Sequence, residues 1–476
     1  MRGSKKMDSL LKLIADYVID YQVTGEEVYQ TARACLADTL GCGILALKFK
    51  ACTKLLGPIV PGTIVPNGSR VPGTKYVLDP VRAAFNIGTM NRWLDFNDTW
   101  LAAEWGHPSD NLGGLLAITD YLSRQKITNG LPPFTVHDLL TAMIKAHEIQ
   151  GGLAILNSFN KIGLDHVILV KVATTAIVTQ LLGGTHQQVA DAVSNAWIDT
   201  GPLRTYRHAP NTGTRKSWAA GDATSRGVFL AMLTMQGEMG YAEAMTAIKW
   251  GFYDSLFHST PFVFQRPFGT YVMENVLFKV AYPAEFHAQT AVECAIQLHP
   301  LIKNRRHNIE RITIETQEPA IRIISKEGSL TNPADRDHCL QYMVAVALLK
   351  GNLTAEDYEE EASKDTHIQD LRDKMVVVEN KSFSNDYLDP DKRSIGNALT
   401  IEFKDGSVTP RIAVEYPLGH RRRRSEGLPL LFEKLEYNFS THYSKEKTKE
   451  LVKLFKDHQK LIEMPVCSLL DQLQGR

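Results

Sequence analysis

One segment of the chain concentrates side chains that can transfer protons. Between Arg92 and Asn111 the sequence places three Trp, three Asp, one Glu and one His. Asp95 and His107 are the most informative pair, because a carboxylate that orients an imidazole gives a general acid or base near neutral pH. The other polar residues of the segment are explained equally well as helix caps or loop hydrogen bonds: Asn97, Ser109 and Asp110.

A second segment concentrates positive charge. Arg204 to Lys216 holds three Arg, one Lys and one His within thirteen residues. Arg binds carboxylates through paired N–H bonds, so this segment is predicted to hold the carboxylates of a ligand, although a solvated basic loop has the same composition. Lys216 is predicted to lie at the first turn of the next helix. The candidate ligand-binding residues are Thr99, Ser109, Arg204, Arg207, His208, Arg215, Lys279 and His287.

Other histidines and polar loops are weaker candidates. His166 precedes a long apolar helix and either starts that helix or faces a pocket. His147 follows apolar residues at helical spacing, which is typical of a core histidine. Lys279 to His287 crowds Tyr, Glu and His around a proline. Asn332 to His338 is a polar loop ahead of a helix, and a helix cap explains it as well as a site does.

Composition and missing motifs restrict the chemistry. Lys+Arg and Asp+Glu balance at 53 each, which disfavours nucleic acid or a membrane as partner. The six cysteines form no CxxC pair and are predicted to be reduced, buried thiols that hold neither zinc nor an iron–sulfur cluster. The sequence has no glycine-rich phosphate loop, GxSxG or HExxH motif. What remains is proton abstraction beside a carboxylate without metal or cofactor, in which cations offset the developing charge.

These residues need two domains to position them. A chain of 476 residues exceeds one compact core. Helical periodicity dominates the first 265 residues, with helices predicted at about 135–150, 166–183, 186–197 and 216–237. Alternating apolar residues then predict strands at 311–316, 375–378, 398–403 and 412–416. We predict a mainly α fold with a smaller α+β domain: a helical domain of 1–266 plus 425–476, and an α+β domain of 267–424.

Several longer motifs resemble one known family. The sequence is similar to the MmgE/PrpD family, and within it to the members that dehydrate 2-methylcitrate, over nearly the whole chain. The motifs that carry the resemblance are Leu36–Gly43, Gly57–Gly62, Arg92–Asn111, Arg204–Trp218, Tyr282–His287 and Asn332–His338.

The resemblance implies a fold and an activity. It implies a large helical domain built from both termini, a site in the cleft beside the smaller domain, and a homodimer. The expected reaction is loss of water from 2-methylcitrate to give 2-methyl-cis-aconitate in the methylcitrate cycle of propionate breakdown, with weak activity on citrate. Sister enzymes that decarboxylate cis-aconitate have site residues that fall on Asp95, Thr99, His107 and Lys216, and near His166. Lys279 and His287 lie nearest to a later Lys-and-His element of those enzymes.

The predicted mechanism assigns two proton transfers. His107, oriented by Asp95, would perform one transfer, and Lys216 or His166 the other. Three alternatives stay open at this point: a cis-aconitate decarboxylase that makes itaconate, a racemase or epimerase, and a tricarboxylate-binding protein without turnover. The expected location is the cytoplasm, or the mitochondrial matrix in a eukaryote.

Overall fold

The helical periodicity of the N-terminal half is realised as helices that share one apolar core. The computed structural model describes residues 7–199, 201–207, 212–389 and 391–475. The core extends from Leu10 to Val280 and includes C-terminal residues up to Leu473. Its N-terminal helices are α1 (Ser9–Asp20), α2 (Glu26–Ala46), α3 (Lys50–Thr53), α4 (Pro80–Arg92), α5 (Leu112–Thr128), α6 (Val136–Ala154), α7 (Val167–Leu181), α8 (His186–Ile198), α9 (Ala219–Met235), α10 (Phe252–Leu256) and α11 (Tyr271–Asn275).

Two glycines bring α4 and α9 into close contact. A Cβ atom built on Gly88 would lie 2.8 Å from the Cα atom of Gly221, so the two helix backbones touch with no side chain between them. Arg92 ends α4, and Lys216 lies just before α9. The contact therefore fixes the distance between the two segments that carry the predicted chemistry.

The second half of the chain forms a mixed sheet covered by helices. A short antiparallel pair, β1 (Ser69–Arg70) and β2 (Val77–Leu78), precedes it in the chain. The sheet has the order β4–β3–β5–β6, in which β3 is parallel to β4 and antiparallel to β5. Its strands are β3 (Ile309–Thr316), β4 (Met375–Glu379), β5 (Asn397–Phe403) and β6 (Ile412–Val414); its helices are α12 (Gln289–Ile302), α13 (Glu318–Ile324), α14 (Pro333–Arg336), α15 (Leu340–Lys350), α16 (Thr366–Arg372) and α17 (Lys381–Leu388).

This sheet has an apolar core of its own, and the C-terminal helices return to the first core. The second core runs from Ala284 to Phe403. Leu431 and Leu435 of the C-terminal region belong to the first core, and Lys434 Nζ lies 2.7 Å from Asp38 Oδ1 on α2. The C-terminal helices are α18 (Arg424–Ser440), α19 (Lys445–Lys456), α20 (His458–Ile462) and α21 (Val466–Gln472).

The predicted fold class is confirmed, and all four predicted strands are present. The predicted helices at 135–150, 166–183, 186–197 and 216–237 correspond to α6, α7, α8 and α9. The six cysteines are buried and unpaired, as predicted. The exact domain limits stay a prediction. None of the described helices is both long enough and apolar enough to cross a membrane.

Candidate active site

The carboxylate of Asp95 lies at the centre of a buried cluster of cations. Asp95 follows α4 in a left-handed conformation, with φ of 51°, which Asp tolerates better than most residues. Its Oδ1 accepts hydrogen bonds from Arg92 Nη1 at 2.6 Å and Lys279 Nζ at 2.9 Å. Lys216 Nζ lies 3.4 Å from Oδ2. Burial alone would raise the pKa of Asp95, but the three cations together hold that pKa well below its ordinary value, so the carboxylate is ionised.

Lys216 connects this cluster to the second core. Its ammonium group is fully buried and donates to both carboxylate oxygens of Asp337, at 2.9 and 2.7 Å. The neighbouring His338 also bonds Asp337, with Nδ1 at 2.6 Å from Oδ1. Asp337 and His338 follow α14, whose start is capped by the side chain of Asn332. The Asn332 to His338 loop is thus a helix cap that also delivers two groups to the site.

His107 is held by a backbone carbonyl and by an arginine. Its Nδ1 donates to the carbonyl oxygen of Asp98 at 2.6 Å, and its Nε2 accepts from Arg92 Nη2 at 2.8 Å. Burial, followed by the charge of Arg92, lowers the pKa of His107 well below its usual value. The ring is therefore neutral, with its proton on Nδ1. Asp95 was predicted to orient this ring, but its Oδ1 lies 3.5 Å from Nε2 and the Asp98 carbonyl does so instead.

Asp98 is itself fixed by the surrounding core. Its carboxylate accepts from His147 Nε2 at 2.8 Å and from the backbone N–H of Ser109 at 3.1 Å. His147 also donates from Nδ1 to a backbone carbonyl of α6. It is the satisfied core histidine that its spacing predicted. Ser109 Oγ accepts from Asn97 Nδ2 at 2.8 Å, so its hydroxyl is engaged within the segment.

A second imidazole faces the same space from the start of α7. His166 is 2% exposed, and neither of its ring nitrogens has a hydrogen-bond partner among the described residues. Its ring centroid lies 5.9 Å from that of His107. Burial lowers its pKa well below the usual value, an effect that the adjacent Asp165 opposes and Arg207 reinforces. Its Nδ1 lies 3.4 Å from Asp165 Oδ1 without a hydrogen bond, and its Nε2 has no partner among the described residues. His166 is thus a neutral base whose Nε2 is available.

Asp165 orients two arginines beside His166. It accepts from Arg207 through Nε and Nη2 and from Arg204 Nη1 at 3.3 Å. Burial would raise the pKa of Asp165, but the charges of Arg207 and Arg204 hold it well below the ordinary range. Both guanidinium groups are buried. Such a pair, fixed from behind by one carboxylate, suits the binding of an anionic ligand.

These groups enclose a small cavity between the two cores. The remaining space is about 20 Å³, which holds about one water molecule. A tricarboxylate therefore enters only when the walls move apart. The lining residues are Arg92, Asp95, Trp105, His107, His166, Arg204, Arg207, Glu285, Ile323 and His338.

Several of the predicted binding residues line this cavity or contact the residues that do. Arg204 and Arg207 line it, and Lys279 lies directly behind Asp95. Thr99 Oγ1 is 3.4 Å from His107 Nδ1. His287 bonds Glu285 at 2.9 Å through Nδ1.

Arg215 is a predicted binding residue that is not brought to the cavity. Arg215 bonds Asp222 at 2.7 Å and lies over the Trp218 ring, with its side chain 36% exposed. The prediction for His208 falls outside the described residues.

Sequence reasoning missed several residues of the site. The sequence marks Arg92 only as the first residue of a motif, although its guanidinium contacts both Asp95 and His107. Asp165 directly precedes His166 in the sequence, and that position alone could have suggested it as a residue of the site. Trp105 and Ile323 carry no signal of their own, whereas Glu285, Asp337 and His338 lie in the two segments that the sequence marks only as weaker candidates. Their roles depend on contacts between distant segments.

Three sets of possible metal ligands occur among the described residues. Asp16, Asp20 and His186 form a largely exposed set, of a kind that is common without an ion. The other two sets lie at or beside the cavity. Asp95, Asp337 and His338 lie close together, but their carboxylates already pair with lysine ammonium groups that would repel a cation. Cys35 contacts Asp98 and His147 as a buried thiol whose pKa is raised by burial. It therefore remains protonated and acts as a weak hydrogen-bond donor, 3.4 Å from Asp98. Neither set favours a metal ion.

A larger cavity of about 600 Å³ lies on the other side of the Trp100–Ala103 segment. Its polar lining is dominated by cations such as Arg393 and Arg421. Its imidazole, His420, accepts a hydrogen bond from a backbone N–H, and burial lowers its pKa to about 4. The smaller cavity has two facing imidazoles and is the better candidate for chemistry.

Comparison with known proteins identifies the family of this arrangement. The model for the MmgE/PrpD N-terminal domain matches residues 12–265, and that for the MmgE/PrpD C-terminal domain matches residues 282–458. The chain is 58% identical to the 2-methylcitrate dehydratase of Salmonella typhimurium over 96% of this chain and 95% of the relative. It is 59% identical to that of Cupriavidus necator over 98% and 96%. It is 55% identical to the mitochondrial 2-methylcitrate dehydratase of Yarrowia lipolytica over 98% and 90%. The chain belongs to the MmgE/PrpD family.

Proposed function

We propose that this protein eliminates water from 2-methylcitrate to give 2-methyl-cis-aconitate. The observation that carries the proposal is the pair of buried, neutral imidazoles, His107 and His166, which face one cavity beside two arginines. The names of the relatives, which are more than half identical over nearly the whole chain, support the same reaction. The site needs no metal for this chemistry.

The reaction requires a base, an acid and positive charge. The carbon that loses its proton carries a carboxylate, so negative charge develops on an enolate-like group as the proton leaves. The hydroxyl departs from the neighbouring carbon and must be protonated, because water, with a pKa of about 15.7, makes hydroxide a poor leaving group. Arg204 and Arg207 are placed to bind the carboxylates and to offset the developing charge.

His166 is the better candidate for the base. Its Nε2 has no hydrogen-bond partner among the described residues, and its lowered pKa keeps the ring neutral before the substrate enters. His107 is the partner across the cavity. Carboxylates that approach a histidine raise its pKa, so the entering substrate favours protonation of His107 at Nε2. Nε2 must then release the hydrogen bond from Arg92, and it can give its new proton to the leaving hydroxyl. Lys216 is bound by both oxygens of Asp337 and serves as a counterion for the acids around it.

The test is identification of the product by NMR after incubation with racemic 2-methylcitrate in buffer that contains a chelator. The expected result is 2-methyl-cis-aconitate, together with growth of the ultraviolet absorbance of a conjugated alkene. Exchange of the C–H proton with solvent without loss of water would refute the proposal in favour of a racemase or epimerase. Itaconate from cis-aconitate, without any dehydration, would identify a decarboxylase. Binding of 2-methylcitrate without turnover would identify a binding protein.

We also propose a homodimer that works in the cytoplasm of a bacterium or in the mitochondrial matrix. The family resemblance supports the dimer, as do large apolar side chains exposed on one segment, Ile248 at 86% and Trp250 at 77%. The mitochondrial relative supports the second location. Sedimentation of the purified protein tests the dimer, and a monomer at micromolar concentration would contradict it.

A further inference from the structure

The wall of the active-site cavity is polar almost throughout. Of the ten described residues that line it, eight carry ionisable side chains, and only Trp105 and Ile323 do not. A substrate with three carboxylates and a hydroxyl finds partners among the eight. An alkyl group on that substrate finds apolar contact only at the other two.

Trp105 is already engaged with charged and aromatic neighbours. The guanidinium carbon of Arg204 lies 5.0 Å from its ring centroid, and that of Arg322 lies 5.7 Å away. The ring of His287 packs edge-on against it at 6.2 Å. These contacts use the indole as a platform for cations. Ile323 is the aliphatic side chain among the described lining residues, so it is the better candidate to contact an alkyl group.

Ile323 reaches the cavity from the second core. It lies near the end of α13, and its partly buried side chain packs against that core. His107 and His166 belong to segments of the first core. Ile323 thus closes the cavity from the side opposite to the two imidazoles.

The proposed substrate places its one alkyl group beside the reacting carbon. In 2-methylcitrate the carbon that loses its proton also carries the methyl group, as the product name 2-methyl-cis-aconitate requires. Citrate has a hydrogen atom at that position. Because the methyl is one bond from the carbon that the base attacks, it must lie in the same cavity as the two imidazoles.

We propose that Ile323 is the specificity-determining residue that contacts this methyl group and favours 2-methylcitrate over citrate. The inference rests on the proposed function. One methyl group in an apolar pocket changes kcat/KM by about 10–200-fold, so the ratio of kcat/KM for 2-methylcitrate to that for citrate should be of this size in the unmodified enzyme.

The test compares this ratio in three variants of the full-length protein. Ile323→Ala should lower it by about tenfold or more, mainly through loss of activity on 2-methylcitrate, while kcat/KM for citrate changes little. Ile323→Val keeps most of the side chain and should lower the ratio by a smaller factor. Ile321→Ala is the matched control, since Ile321 lies on the same helix but not on the cavity wall, and it should leave the ratio unchanged.

The outcomes separate the two proposals. The specificity role is supported if the ratio of kcat/KM for 2-methylcitrate to that for citrate falls in Ile323→Val, falls further in Ile323→Ala, and is unchanged in Ile321→Ala. An unchanged ratio in both Ile323 variants, or an equal fall in the control, overturns it and leaves the proposed function intact. If the unmodified protein dehydrates neither acid, the proposed function itself fails. Should Ile323→Ala fail to fold, the Val variant still decides the question.

Discussion

Two buried aspartates of the first motif, Asp95 and Asp110, should change the stability of the protein in opposite directions when each is replaced by Asn. Asp95 is buried, ionised and bonded to Arg92 and Lys279, with Lys216 close by. Asp110 is equally buried, but burial outweighs the charge of Arg92 and raises its pKa to about 7. Asp95→Asn therefore removes a charge, whereas Asp110→Asn mainly replaces a neutral carboxylic acid with a neutral amide.

The magnitude for Asp95→Asn follows from the cations that it leaves behind. Removal of one partner from a buried ion pair costs about 3–5 kcal/mol, because the other charge stays buried without compensation. Since the pKa of Asp95 is depressed in the fold, its contribution is present above its unfolded pKa of about 3.9 and is lost only as pH falls below that value. The variant should therefore be less stable than the unmodified protein across pH 5–8.

Asp110→Asn has the opposite pH dependence. A carboxyl group whose pKa is raised to about 7 in the fold makes the protein less stable as pH rises from its unfolded pKa toward 7, by about 1.4 kcal/mol per pH unit. An amide does not titrate. The variant should therefore gain stability relative to the unmodified protein between pH 5 and 7, and keep that gain above pH 7.

Urea denaturation followed by fluorescence and circular dichroism at pH 5, 6, 7 and 8 measures both effects. The expected result is a loss for Asp95→Asn at every pH and a relative gain for Asp110→Asn that grows to pH 7. Equal losses in the two variants, or a gain in Asp95→Asn at higher pH, would refute the assignment of one ionised and one protonated aspartate.

Three further predictions concern activity and packing. His107→Gln should lower kcat by about 10²–10⁴-fold with little change in KM, since a proton-transfer group is removed; steady-state kinetics on a folded variant that keeps its kcat would contradict the proposed role. Arg207→Gln should lower kcat/KM by roughly 10–150-fold, which corresponds to the loss of a charged hydrogen bond of about 1.5–3 kcal/mol. Arg215→Gln is the control, since Arg215 is more exposed, and it should leave kcat/KM within about twofold of the unmodified value. Gly221→Ala should cost about 1–3 kcal/mol in urea denaturation and reduce activity, because its Cβ would meet α4; Gly213→Ala has its nearest neighbouring atom at 3.6 Å and should change neither.

The fold and the outline of the site could be predicted because they are local in the sequence. The strand at 311–316 alternates apolar residues, and Ile312 and Ile314 are buried in the second core. Asp95 and His107 share one segment, and that segment does form one side of the cavity. Long motifs also carried the family resemblance, which the family models confirm.

The pairings within the site could not be predicted because they join distant segments. Lys216 and Asp337 are bonded although 121 positions separate them, and Lys279 and Asp95 although 184 do. Nothing in the local pattern of Arg204–Lys216 distinguishes Arg207, which is buried against Asp165, from Arg215, which pairs with Asp222. No sequence motif reveals that the Asp98 carbonyl accepts from His107 Nδ1 and that Arg92 donates to Nε2, which leaves Asp95 beside the ring at 3.5 Å without a hydrogen bond to it.

The contact between Gly88 and Gly221 determines which side of the active site can move. Since the backbones of α4 and α9 are in contact, the segments that carry Asp95 and Lys216 should form a rigid wall of the site. The opposite wall, which includes Ile323 and His338, packs on the second core. We therefore expect opening for substrate to move that second wall, which would separate the Lys216–Asp337 ion pair and the neighbouring contact between His338 and Asp95. We expect product release to require the same separation, so its rate should depend on how readily these buried polar contacts break.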